Sequence, residues 1–161
     1  MNKFLNKLKK EKKLGLVEPS EDICDSYSEK SANCLKSAKL LLQNNLYENS
    51  ISESYYSMYN SLLALLFKVG IKSENHSASI ILFNELFGDK ELWHMIKWAK
   101  EERIDKQYYI QTSQVDKITK ESCGDMILKT ENFSLKMRVI ATEMNNKEVL
   151  DIRDNFLKLF S

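Results

Sequence analysis

This chain is missing most of the features that announce a chemistry. It has only three cysteines, Cys24, Cys34 and Cys123, far apart and odd in number. That excludes a closed disulfide framework in which every thiol is paired. No CxxC pair and no Cys/His ligand spacing is present, so no metal is expected. Half-buried thiols in a reducing compartment are the simplest reading. There is no Gly-rich phosphate loop and no GxSxG elbow. A pair of Glu-x-x-His motifs, which a di-iron bundle needs, is also missing. Long apolar runs are absent too. The longest, Leu62 to Val69, is interrupted by Lys68 and falls far short of a membrane span. The basic N-terminus lacks the apolar run of a secretory signal. A cytoplasmic protein with no membrane partner and no cofactor is therefore expected.

Proline occurs once and glycine four times in 161 residues, so little interrupts helix propagation. Strand-like alternation is equally scarce. With 43% apolar and 29% charged residues, the chain has an ordinary globular composition. Its length suits one domain that buries roughly two-thirds of its unfolded surface. The expected organisation is a basic N-terminal helix and turn over 1–19, a bundle core over 20–145 and a C-terminal helix over 146–161. The net charge of +1 conceals an asymmetry: residues 1–13 carry six lysines and one glutamate. Such an arm can touch phosphates or an acidic partner. It can equally be a solvated amphipathic helix docked through Phe4, Leu5 and Leu8.

What the chain has in abundance is helical periodicity. In the segment Ser54 to Ile71 and the turn before it, one series runs Ile51, Tyr55, Met58, Leu62, Leu65, Leu66, Val69. A second runs Tyr56, Tyr59, Leu63, Phe67. Together they cover most of a helix, which predicts burial at the centre of a bundle. A helix over about 21–43 is expected before it. Ser20 should be its N-cap and Ile23, Tyr27, Cys34, Leu35, Ala38, Leu41 and Leu42 its inner face. Further helices are expected over about 76–87, 90–102, 116–144 and 147–159. Lys72 to Asn75 and Arg103 to Ser113 read as irregular, with Thr112, Ser113 or Asp116 as caps of the long helix. Gly124 inside that helix either marks a close crossing or is tolerated. Val149, Leu150, Phe156 and Leu157 should face inward on the last helix. Short loops between long helices favour an all-α, antiparallel up-and-down bundle of four to five core helices, with extra terminal helices.

Several stretches, in order, resemble the HEPN domain family, in its UPF0332-type branch. They are SAKLLLQNNLYENSISESYYSMYNSLLALLFKVGI, NHSASIILFNELF, EERIDKQYY and the long helix near 116–144, covering about residues 20–145. The resemblance implies a helical bundle that commonly forms a homodimer. Many members are metal-independent ribonucleases, often toxins paired with a nucleotidyltransferase-type partner protein. Others bind RNA or nucleotides, or act as interaction modules. The active branch places a histidine four to six residues after an arginine. Here Arg103 is followed instead by Ile104, Asp105, Lys106, Gln107, Tyr108 and Tyr109, and Asn60 stands where relatives often carry histidine.

Arg103 with Tyr108 and Tyr109 is the leading candidate ligand surface, since a guanidinium matches phosphate and tyrosine faces stack bases. The alternative is a structural arginine pinned to Asp105 or Glu102. His76 opens a helix, where it can meet an anion, move a proton or simply cap. Tyr55, Tyr56 and Tyr59, with Asn60, either pack the core and a dimer face or line a nucleotide pocket. The catalytic candidates are Arg103 with His76, or Arg103 with a tyrosine. The leading expectation is a non-catalytic RNA- or nucleotide-binding or interaction module of a toxin–antitoxin-type system. The alternatives are a metal-independent endoribonuclease and a pure protein-interaction subunit.

Overall fold

The computed structural model describes residues 2–104 and 118–161 in full, and 105–108 as helical backbone. Among the described residues the chain is an all-α bundle with one small antiparallel ribbon. The order is α1 Lys3–Lys10, β1 Leu14–Leu16, α2 Glu21–Gln43, α3 Tyr47–Lys68, β2 Ile71–Ser73, α4 His76–Phe87, α5 Lys90–Tyr108, α6 Lys120–Glu143 and α7 Asn146–Lys158.

Local chemistry sets these limits. Ser20 accepts a hydrogen bond from the Ile23 N–H, and Glu21 and Asp22 occupy the first turn of α2, where the helix dipole favours negative charge. Asn45, at φ 59°, turns the chain out of α2. The next helix starts at Tyr47, about one turn ahead of Ile51, where its apolar series begins. Asn75 caps α4 by accepting from Ala78 N–H, and Gly88 closes it in the left-handed region. Thr119 and Ser122 cap α6 reciprocally. Thr112, Ser113 and Asp116 lie outside the described residues. Among these helices, none is long and apolar enough to cross a membrane.

The central helix α3 is the core, with Tyr55, Met58, Leu62, Leu65 and Leu66 fully buried. Its principal partner is α2, and α6 closes the bundle. The face of α3 toward α2 is lined with serine rather than with large apolar residues. Ser50, Ser54, Ser57 and Ser61 are all buried, opposite Cys24, Ser31 and Ala38 of α2. Ser50 Oγ donates to the Ala38 carbonyl at 2.8 Å, and Ser31 Oγ to the Ser57 carbonyl at 2.9 Å. With each hydroxyl bonded, small side chains let the helices approach without a buried polar penalty.

Several expectations change. The Leu14–Leu16 strand pairs antiparallel with Ile71–Ser73, Leu14 opposite Ser73, where a turn and a loop were expected. Gly70, at φ 69°, turns α3 directly into that ribbon. Arg103 does not begin an irregular segment but lies inside α5. Ile23, Leu150, Leu157 and Phe4 are exposed. In α2 it is Cys24 that faces α3, and Ile23 sits about 100° round the helix from it. Leu5 and Leu8 alone dock α1, and Phe156 anchors α7. A Cβ on Gly124 would meet nothing within 4 Å, so no close crossing depends on it.

Candidate functional site

The tyrosine-rich head of α3, the first turn of α4 and the end of α5 converge on one corner. Tyr55 and Tyr59 are one turn apart on α3, and their rings stack at 6.1 Å. His76, the first residue of α4, lies flat against Tyr59 with centroids 3.8 Å apart. Its Nδ1 makes a 2.6 Å hydrogen bond with the Tyr55 hydroxyl, and the Tyr56 ring meets it edge-on at 6.2 Å. From α5, the Arg103 guanidinium sits over Tyr56 at 5.1 Å and over Tyr55 at 5.4 Å. Arginine and histidine therefore flank the same pair of rings, although 27 positions separate them in sequence. The antiparallel α4–α5 hairpin makes this possible by setting the start of α4 beside the end of α5.

Among the described residues, the charges that act on His76 are of one sign. Burial, then Arg103 and then Lys100 hold the His76 imidazole below its ordinary range, so the neutral ring prevails at neutral pH. Burial pushes the Tyr55 and Tyr59 hydroxyls up, so both remain phenols. Lys100, one turn before Arg103, donates to Ser77 Oγ at 2.5 Å. Arg103 Nε is buried and finds no hydrogen-bond partner among the described residues. Among the described residues no carboxylate lies within ion-pair distance of Arg103, so Glu102 does not pin it, and the Asp105 side chain lies outside the described residues. A guanidinium laid on aromatic faces keeps its charge without a counter-ion. Cations, a helix N-terminus and a neutral imidazole together suit an anionic group.

Of the residues singled out from the sequence, Tyr55, Tyr56, Tyr59, His76 and Arg103 come together. Asn60 does not join them. It points toward α2, with Nδ2 3.6 Å from Cys34 Sγ. Tyr109 and the Tyr108 side chain lie outside the described residues. The sequence reading missed Lys100 and Ser77. Lys100 was visible in principle, because it is three residues before Arg103 and so on the same side of a continuous helix. Among the described residues no cluster of three His, Cys, Asp or Glu side chains is placed to hold a metal. Burial raises Cys34 and Cys123 to about 11, which leaves little thiolate for chemistry at neutral pH.

Known proteins are similar to this chain in sequence. A "UPF0332 protein" of Thermotoga maritima is 28% identical over 122 residues, covering 73% of this chain and 89% of its own. A UPF0332 protein of Pyrococcus horikoshii is 30% identical over 103 residues, covering 64% and 67% respectively. A Methanocaldococcus jannaschii protein named "Putative toxin" is 26% identical over 140 residues, covering 83% and 91%. The HEPN domain family model matches residues 25–140, a span that contains the serine seam, the tyrosine head of α3, His76 and Arg103. The chain belongs to the HEPN domain family.

Proposed function

We propose that this HEPN domain binds a phosphate-bearing ligand, RNA or a nucleotide, at the Tyr55–Tyr56–His76–Arg103 corner. One observation carries the reading: the Arg103 guanidinium lies on two tyrosine rings beside a neutral histidine, with no described carboxylate to occupy it. Arginine would grip phosphate oxygens through its free edge, and Tyr56, only half-buried, offers a ring to a base. The toxin name of the Methanocaldococcus relative supports a place in a toxin–antitoxin-type system. A nucleotidyltransferase-type protein and a second copy of the chain are then the partners to seek.

A second reading, metal-independent RNA cleavage, is favoured by the 2.6 Å contact between His76 Nδ1 and Tyr55. When Nδ1–H donates to the Tyr55 oxygen, Nε2 keeps its lone pair and can accept the proton of a 2′-hydroxyl. Arg103 would hold the phosphate as charge develops on it. The histidine that the family's linear motif places after the arginine would thus be supplied from α4.

Labelled RNA incubated with the protein in EDTA separates the possibilities. Retention of intact RNA that is lost in Arg103→Ala supports binding alone. Fragments that disappear in both Arg103→Ala and His76→Gln support cleavage. If RNA is neither held nor cut at low salt, an interaction-only module is the better description.

A further inference from the structure

The seam between α4 and α5 runs away from the corner just described, and its α5 side carries a repeated pattern. At 100° per residue, Lys90, Trp93, Lys97 and Lys100 fall within a sector of about 80°. Both ends of this row are tied to α4. Lys100 Nζ donates to Ser77 Oγ at 2.5 Å, and Lys90 Nζ to Asn84 Oδ1 at 2.6 Å. Ser77 and Asn84 are two turns apart, on one side of α4. Between them sits Trp93, half-buried, with Lys90 Nζ and Lys97 Nζ each 5.5 Å from its ring. His94 is exposed beside it, at 4.6 Å between ring centroids. Carboxylates border the row without closing on it: Glu101 reaches Lys97 only at 4.0 Å, and Glu85 lies 3.3 Å from the Nδ2 of Asn84 rather than in an ion pair with Lys90.

We propose that this seam is a track for single-stranded nucleic acid leading into the Tyr55–Tyr56–His76–Arg103 corner. Lys90, Lys97 and Lys100 meet phosphates along one strand, and Trp93 takes a base on its face. The inference rests on the proposed function of the corner and narrows its ligand to an oligonucleotide rather than a mononucleotide. From Trp93 to Arg103 the helix rises about 15 Å, a length that spans about four phosphates at stacked spacing. Exposed ammonium–indole contacts are weak. A base can therefore replace a lysine on the Trp93 ring while that lysine moves to a phosphate, and stacking needs no particular sequence.

The test uses the full chain, a fluorescein-labelled oligouridylate of about twelve nucleotides, and UMP as the mononucleotide probe. The oligomer should bind at least about tenfold tighter than UMP. Lys97→Gln and Trp93→Leu should each weaken the oligomer by about three- to tenfold and leave UMP unchanged. Each lysine removed should reduce the slope of log K against log salt by about 0.7. In a Trp98→Phe background, binding should quench the remaining indole. Arg103→Ala should weaken both probes. An oligomer that binds no tighter than UMP overturns the track, as does a duplex that competes equally well. If Lys97→Gln and Trp93→Leu leave the oligomer unchanged while Arg103→Ala releases it, the track falls and the corner stands. If Arg103→Ala changes nothing while Lys97→Gln weakens the oligomer, the corner falls and the track stands. Lys97 is exposed, so its variant carries the test even where Trp93→Leu lowers stability.

Discussion

Two arginines of this protein are half-buried with no described carboxylate in reach, and they are held in opposite ways. Arg153, on α7, donates through Nη1 to the carbonyls of Val17, Val69 and Gly70 at 2.8, 3.0 and 3.1 Å. Those oxygens gather where α3 ends, at the negative end of its dipole. Arg103 rests on the rings of Tyr55 and Tyr56, and among the described residues its Nε has no hydrogen-bond partner. A missing counter-ion therefore does not by itself mark a binding arginine. What distinguishes the two is the backbone: Arg153 meets carbonyls that turned their lone pairs toward it, whereas Arg103 meets aromatic faces, and among the described residues nothing accepts from its Nε. One guanidinium fastens the fold, and the other is the arginine on which the proposed binding rests.

The sharpest way to break this contrast is at Gly70. A Cβ there would lie 2.0 Å from Arg153 Nη1 and 2.4 Å from the Val17 carbonyl, at φ 69°. Gly70→Ala should cost about 4 kcal/mol, from left-handed strain plus displacement of the arginine. That corresponds to a fall in Tm of roughly 8–16 °C. Arg153→Ala should cost about 3 kcal/mol in urea unfolding and leave nucleotide affinity per folded molecule unchanged. Arg103→Ala should do the reverse. Affinity should drop about 30-fold, or about 2 kcal/mol, while stability stays within about 1 kcal/mol of the parent. Equal stability losses at the two arginines would erase the distinction.

The smallest effect is one of pH. Burial, Arg103 and Lys100 hold His76 below its ordinary value of 6.5. As pH falls through that value, the unfolded chain takes up a proton that the folded one resists, so stability declines. Without Arg103 the resistance weakens. The decline between pH 7.5 and 5.5 should then be shallower in Arg103→Ala than in the parent, as read by urea midpoints. An identical slope would separate Arg103 from the imidazole.

The sequence made the helical framework plain, and the reason is local. Ser20, Asn75 and Gly88 mark helix ends through their own side chains or φ, so the limits of α2 and α4 can be read directly. The run ERIDKQYY has no apolar rhythm of its own, and the continuation of α5 through it was therefore missed. Leu92, Ile96, Ala99 and Arg103 nonetheless share one face at helical spacing, with Arg103 in a position that the other three fill with buried side chains. The serine stripe of α3 was hidden for a different reason: small polar residues enter no hydrophobic pattern, and only α2 opposite reveals their use. The pairing of His76 with Arg103 depends on how a hairpin folds back, which no spacing along the chain encodes. The three-residue strands are too short to alternate visibly.

Those strands also act as an alignment gauge for the His76–Tyr55 contact. Leu14 stands opposite Ser73, and the Glu74 N–H donates to the Lys13 carbonyl at 2.9 Å. Three residues beyond Ser73 comes His76. A slip of one residue along the ribbon is a displacement of about 3.3 Å, several times the tolerance of a 2.6 Å contact between the imidazole and Tyr55. The N-terminal arm, which lies outside the span matched by the family model, thus sets the zero of the scale on which the histidine is positioned.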